Sequence, residues 1–214
     1  MDAAAKDPLD AVPPALRTLA ARGVPKTYRK GALLIEEGEL RDEQFIVLRG
    51  QVRAFSIDER DHEITYGVYG PGEYLGEMSL DGGPRSASVE ALEPTMCVIV
   101  TRHTLREHIA ANPDFAFELI SRVIHRARMA TQSLRSLALL DVYGRVVRLL
   151  EALAVARADG TLVIEPRPTH KDLAARVGCS REMVSRLLKD LERGGYLSTQ
   201  TSRLVQLRTL PRQW

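Results

Sequence analysis

Cysteine is nearly absent: Cys97 and Cys179 are the only two in 214 residues. Two thiols cannot build a disulfide framework or a four-cysteine zinc site, and iron–sulfur clusters usually take four. Cys97 lies in the apolar run MCVIV, the setting of a small buried core residue. Long apolar runs are missing too. Met96–Val100 is typical of the longest, far below the ~18 residues of a membrane-spanning helix. The opening MDAAAKDPLDAVPPAL has no basic start followed by an apolar core, so no secretory leader is expected. The expectation is a cytoplasmic protein with no membrane partner. Catalytic arrangements are equally scarce. HEITY at His62 lacks the second histidine of H-E-x-x-H, and His103 and His108 have no recognisable nucleophile beside them. Neither an enzyme nor a metal site is expected.

What is present divides by texture. From about residue 24 to 101, short apolar segments (LLIEEG, FIVLRG, VRAFSI, TMCVIV) are punctuated by Gly31, Gly38, Gly50, Gly67, Gly70, Gly72 and Gly76. That spacing predicts about eight short strands in an antiparallel sandwich or barrel. From 113 to 140 the period changes. Asn112 is placed to cap a helix with Pro113 at its first position, and no Gly or Pro follows until Gly144. Ile120, Ile124, Ala127, Thr131, Leu134 and Ala138 step by four and three, a heptad seam. Two readings of this helix stay open. The seam meets a second copy of itself in a homodimer, or the helix packs on its own β-domain, with Val123, Met129 and Leu137 doing part of that.

The third texture begins at Asp141, a cap for a helix to about Ala156, followed by the turn Ala158-Asp159-Gly160 and the short strand LVIEPRP. Thr169 and Asp172 then have capping-box spacing before KDLAARV, Gly178 ends that helix, and Ser180 caps the next, which stops at Gly194-Gly195. Leu173, Ala174 and Val177 on the first helix face Val184, Leu187, Leu188 and Leu191 on the second. Two short helices around a glycine turn make a helix-turn-helix. The outer face of the second helix keeps Arg181, Glu182, Ser185, Arg186 and Lys189, types that read guanine or cytosine edges or hold phosphates. Charge agrees: from His170 onward nine Lys/Arg face four Asp/Glu, a net +5, so the preceding part carries −3 of the overall +2.

The string THKDLAARVGCSREMVSRLLKDLERGGYLS resembles the DNA-binding helices of the cyclic-AMP receptor protein/fumarate-nitrate regulator family of bacterial transcription factors. The resemblance implies that Arg181, Glu182 and Arg186 read bases in a TGTGA-like half-site of a palindrome in double-stranded DNA. It assigns phosphates to Ser180, His170 and Lys171, and a C-terminal hairpin to Leu197–Leu207. A second motif fits the same family. Pro71-Gly72-Glu73-Tyr74-Leu75-Gly76-Glu77-Met78-Ser79-Leu80 with Pro84-Arg85-Ser86-Ala87-Ser88-Val89 is similar to the phosphate-binding cassette of cyclic-nucleotide domains. A cyclic phosphate calls for a guanidinium, hydroxyl and backbone donors, and a turn that lets backbone approach. Arg85 and Ser86 are suited to the phosphate, Gly76 to close approach, and Glu77 to a ribose hydroxyl, with Met78 and Ala87 beside them. Two departures stand out. The loop between Glu77 and Arg85 is shorter than in the family's cyclic-AMP receptors, and their adenine-contacting Thr-Ser pair falls on Ala130-Thr131. Thr131 and Arg126 are the candidate ligand contacts on the long helix.

The expected architecture is α+β: a β-roll sensor, cyclic-nucleotide-binding-like, at 1–112, a dimerisation helix at 113–140 and a winged helix-turn-helix at 141–214. The expected function is transcription regulation with cyclic AMP as effector. A same-fold regulator answering cyclic di-GMP, haem or redox state, or none, remains open. The family further implies RNA polymerase as partner, through exposed loops such as Arg157–Gly160.

Overall fold

The computed structural model describes residues 8–211. The first seven residues of the N-terminal stretch, where no leader is expected, and the basic Arg212 lie outside them. The chain forms two compact units. One holds the residues up to Ser56 with Thr65–Arg128, the other Ile57–Ile64 with the residues from Met129 on.

In the first unit, apart from the facing ends of β4 and β5 within Ile57–Ile64, a short helix α1 (Pro14–Ala20) precedes eight strands: β1 (Val24–Tyr28), β2 (Leu33–Ile35), β3 (Gln44–Arg49), β4 (Val52–Ile57), β5 (Glu63–Tyr69), β6 (Tyr74–Leu75), β7 (Ser88–Ala91) and β8 (Thr95–Val100). They form two four-stranded sheets, ordered β1-β8-β3-β6 and β2-β7-β4-β5. The pairings β1–β8, β3–β8, β3–β6, β2–β7 and β4–β7 are antiparallel. The apolar run of β3 is buried on both faces, and period two sorts it. Phe45 and Val47 enter one core with Tyr28, Val52, Leu75, Val89 and Cys97. Ile46 and Leu48 enter another with Leu16, Leu19, Val98, Leu105, Phe115 and Leu119. Cys97 is fully buried, and burial pushes its thiol up to about 12.

Helix α2 (Arg102–Ala111) starts at Thr101, whose hydroxyl accepts from the Thr104 N–H at 3.1 Å. The long helix α3 runs Asp114–Leu139. Asn112 is not its side-chain cap: the Asn112 amide donates back to the His108 carbonyl of α2 at 3.1 Å, and its backbone N–H does the same. Only Phe115 and Leu119 of α3 are buried. Val123, Met129 and Leu137, read as packing partly on the β-domain, are 42–49 % exposed.

In the second unit α4 (Val142–Leu153) is capped by Asp141, whose carboxylate accepts from the Gly144 N–H at 2.7 Å. It ends three residues earlier than its apolar pattern suggests, because Val155–Ala156 leave it as strand β9 and pair with β10 (Leu162–Ile164). Helices α5 (His170–Val177) and α6 (Arg181–Arg193) follow, then β11 (Leu197–Thr199) and β12 (Leu204–Gln206). The sheet order is β11-β12-β10-β9, so the wing carries one strand, β9, that the pattern hid. One core joins the α4 face (Tyr143, Val146, Val147, Leu150) to Leu173, Ala174, Val177, Val184, Leu188, Leu191, Leu197 and Leu204.

Candidate functional sites: cassette and recognition helix

The helix-turn-helix is built by local chemistry. Thr169 accepts from the Asp172 N–H at 3.1 Å while the Asp172 carboxylate accepts from the Thr169 N–H at 3.1 Å, closing the capping box. Gly178 turns the chain in the left-handed region, φ +66°, and Ser180 caps α6 through the Met183 N–H at 3.2 Å. Arg145 on α4 was not singled out from the sequence. It donates to the Val177 carbonyl at 2.8 Å and the Leu140 carbonyl at 3.0 Å. A cation on the last carbonyls of α5 fixes the turn before the recognition helix and suits the negative end of the helix dipole.

With Val184, Leu188 and Leu191 turned into the core, α6 leaves Arg181, Glu182, Arg186 and Lys189 exposed and Ser185 half-buried, together lining one shallow concavity. Ser180 is exposed at the helix start. His170 is half-buried; burial, then Arg167 and Arg181, hold its imidazole below the usual range. Lys171 is exposed at 70 %, its ammonium 3.4 Å from the Glu63 carboxylate. The Arg157–Gly160 loop is an exposed turn closed by Gly160 N–H on the Arg157 carbonyl at 2.9 Å.

The cassette follows β6. Gly76 sits at φ +95°, and a Cβ there would stand 2.7 Å from Arg85 Nη1 and from the Glu43 carbonyl. Close packing therefore excludes a side chain at this position as much as the dihedral does. The Gly76 carbonyl collects donors: Gln44 Nε2 at 3.1 Å, Ser79 Oγ at 3.0 Å and Arg85 Nη1 at 3.1 Å. Arg85 is buried and also donates from Nη1 to Ser79 Oγ at 2.8 Å and from Nη2 to the Glu43 carbonyl at 2.7 Å. The Glu43 carboxylate stands 3.6 Å from the same Nη2. Burial lowers the Arg85 pKa, and Glu43, Asp42, Glu39 and Glu77 oppose that shift. Glu77 does not pair with Arg85. Its carboxylate, 1 % exposed, is ion-paired with Arg126 of α3, which also donates to the Tyr74 carbonyl. The guanidinium of Arg126 lies 4.9 Å from the Tyr69 ring centre and 5.7 Å from that of Tyr74, while Arg122 stacks on the Tyr74 ring at 5.1 Å. Burial first raises both phenols, that of Tyr74 to about 12.

Of the expected ligand contacts, the fold brings Gly76, Glu77, Arg85 and Arg126 together. Ser86 is exposed, its hydroxyl donating to Met78 Sδ at 3.5 Å, with Met78 itself 60 % exposed. Ala87 is half-buried against the sandwich core. Thr131 is exposed, five residues beyond Arg126 on α3. The residues that sequence reasoning missed are Glu43, Gln44, Tyr69 and Arg122, while Tyr74 and Ser79 stand inside the cassette motif and carried no role of their own there. A glutamate 42 residues before its arginine carries no spacing signal.

A sensor-type β-roll with a buried Glu–Arg cassette, on the same chain as a winged helix-turn-helix, defines a class: transcription regulators built from a cyclic-nucleotide-binding domain and a DNA-binding domain. Comparison with known proteins makes this specific. Residues 25–112 match the family model of the cyclic nucleotide-binding domain and residues 144–212 that of the Crp-like helix-turn-helix domain. The chain is 30% identical over 191 residues, 86% of its length and 84% of the relative's, to the CRP-like cAMP-activated global transcriptional regulator of Mycobacterium tuberculosis. It is 30% identical over 185 residues, 83% and 87% of the two chains, to the cAMP-activated global transcriptional regulator CRP of Salmonella typhimurium. Among solved structures, the c-di-GMP responsive global regulator CLP of Xanthomonas campestris superposes with TM-score 0.81 at 24% identity, over 91% of this chain and 99% of that one. The catabolite activator protein of Thermus thermophilus does so with TM-score 0.54 at 30% identity, over 95% and 94%. The chain belongs to the CRP/FNR family of transcription regulators.

Proposed function

We propose that this protein is a cytoplasmic homodimer that binds palindromic double-stranded DNA with TGTGA-like half-sites, under control of an effector held at the Gly76–Ala87 cassette, and that works through RNA polymerase. Cyclic AMP is the first-choice effector, and the cAMP-activated relatives in M. tuberculosis and S. typhimurium support it. The observation that carries the DNA reading is α6 itself: one face is core, and the other presents Arg181, Glu182 and Arg186 in an exposed row. A recognition helix places such N-terminal residues against base edges in the major groove. Dimerisation rests on α3, where Ile120, Ile124 and Leu134 of the seam are 46–67 % exposed.

The cassette fits a cyclic nucleotide on one observation of its own. Glu77 Oε2 is buried and has no hydrogen-bond partner among the described residues. A ribose hydroxyl is a donor of the kind it lacks, and buried polar atoms rarely go unpaired. Bound there, the nucleotide brings a phosphate for Arg85 and a contact for Arg126, the cassette's link to α3. A ligand shifts the DNA-binding equilibrium only by its differential affinity for the two states. A second reading also has support: Arg85 and Glu77 already have protein partners, so the cassette is held without a nucleotide, and the effector is then cyclic di-GMP or another signal, or none.

Calorimetric titration of the full-length protein with cyclic AMP, cyclic GMP and cyclic di-GMP separates the two. The cyclic-AMP reading requires micromolar binding that Arg85→Ala abolishes, with anisotropy showing DNA binding strengthened by the nucleotide. Tight binding to a TGTGA palindrome with no heat from any nucleotide overturns the effector assignment and leaves the DNA assignment standing.

A further inference from the structure

A buried guanidinium needs a counter-charge, because desolvating a cation without one is costly. Arg85, with a side chain only 4 % exposed, finds that charge in Glu43, on the chain entering β3. The geometry is divided. The main-chain carbonyl of Glu43 takes the 2.7 Å hydrogen bond from Nη2, while the carboxylate stands off at 3.6 Å, 31 % exposed, on the solvent side. Its other oxygen, Oε1, is 3.7 Å from Nη1 of Arg41, an arginine 62 % exposed. Glu43 is therefore held between an inner and an outer arginine. Glu39 lies 3.4 Å from Arg41 Nε, and Asp42 and Glu39 add to the negative field at Arg85.

We propose that Glu43 is the affinity-setting residue of the cassette: its carboxylate holds the Arg85 guanidinium until an entering phosphate displaces it toward Arg41. This rests on the reading of the cassette as a phosphate-bearing effector's site. The carboxylate and the phosphodiester each carry one negative charge and approach the same guanidinium. Sharing it at short range in a half-buried setting repels, so binding requires the carboxylate to swing outward. The swing needs no backbone change, because Arg85 keeps the Glu43 carbonyl. Glu43 therefore lowers affinity for every anionic ligand that uses Arg85, whatever else that ligand carries.

The test compares full-length wild type, Glu43→Gln, Arg85→Ala and the double variant. Glu43→Gln keeps the shape and the carbonyl that Arg85 uses and removes only the charge. Calorimetry with cyclic AMP is expected to show about tenfold tighter binding for Glu43→Gln, a gain absent when Arg85 is alanine. Equal or weaker binding, or a gain that survives without Arg85, overturns the proposal. A second probe needs no nucleotide: the thermal midpoint in inorganic phosphate against chloride at matched ionic strength. If neither protein binds a cyclic nucleotide, the effector reading fails by itself. A larger, Arg85-dependent phosphate shift in Glu43→Gln than in wild type then still supports the role of Glu43, and equal shifts overturn it.

Discussion

Arg186 and Lys189 sit one turn apart on the exposed face of α6, yet they are expected to fail differently when removed. An arginine at a base edge makes a bidentate contact with guanine, so Arg186→Ala should cost about 1–3 kcal/mol and relax discrimination at one base pair of each half-site. Lys189 is further from the helix start and suits a phosphate. Lys189→Ala should weaken binding to all sequences about equally and reduce the salt dependence of log K by about one unit. Anisotropy against single-base variants of the palindrome, at several salt concentrations, separates the two. Equal behaviour of the variants would remove Arg186 from the base-reading set. His108 makes a residue-scale prediction of another kind. It is 3 % exposed, lies edge-on to Phe115 with ring centres 4.8 Å apart, and its Nε2 has no hydrogen-bond partner among the described residues. Burial, then the nearby Arg22 charge, hold its pKa below 6.5. A histidine kept neutral in the folded state and free to protonate when unfolded stabilises fully above about pH 6.5. That contribution falls as pH drops below 6.5 toward the lower folded value. Denaturant unfolding at pH 7.5 and 5.5 should show a smaller acid loss in His108→Leu than in wild type; an equal loss would assign the titration to other groups.

Gly178 and Thr169 bound helix α5, and both were legible because caps act over three or four residues. Gly178→Ala should destabilise the helix-turn-helix by about 1 kcal/mol, and Gly178→Asn by less. The nearest side-chain atom to an added Cβ is 3.5 Å away, an ordinary contact, so the cost is the left-handed backbone alone. A thermal midpoint unchanged in Gly178→Ala would refute that. The same locality explains which elements the sequence displayed. The glycine-punctuated strands, the heptad helix, the capping box and the glycine turn all announce themselves within one element. What stayed hidden depends on distant chain segments meeting. Glu77 meets Arg126 across 49 residues, Arg85 meets Glu43 across 42, and Arg145 reaches the Val177 carbonyl across 32. No periodicity links such pairs, so the cassette glutamate and arginine were legible as a motif while their partners were not. Strand β9 was hidden for a related reason. Val155 and Ala156 continue the apolar texture of α4, and only pairing with β10 draws them out of the helix.

At the scale of the whole molecule, helix α3 poses the largest energetic question. Apart from the buried Phe115 and Leu119 it exposes apolar side chains: Ile120, Ile124 and Leu134 on the seam, with Phe117 and Leu139 above 69 % exposed elsewhere on it. A soluble chain rarely leaves so much apolar surface in one stripe without a partner. Burying an isoleucine or leucine that is roughly half exposed contributes about 1 kcal/mol, and twofold symmetry counts each seam residue twice. Three residues per protomer then supply about 6 kcal/mol, a substantial share of the gross contact energy a stable dimer takes but less than the about 8 kcal/mol net of micromolar affinity, so the remaining α3 contacts must supply the rest. The double substitution Ile124→Glu with Leu134→Glu places carboxylates on the seam where two copies would meet. It leaves Phe115 and Leu119, the buried anchors of the helix, untouched. Light scattering should report a monomer, and the melting temperature should lose the dependence on protein concentration that a dimer shows. DNA binding should fall to single half-site strength on the full palindrome, since two recognition helices about one helical turn (~34 Å) apart need the dimer to hold them. A double variant that remains dimeric would place the interface away from α3. A monomer that still binds the palindrome at wild-type strength would refute the two-half-site reading, because the seam would then contribute nothing to recognition.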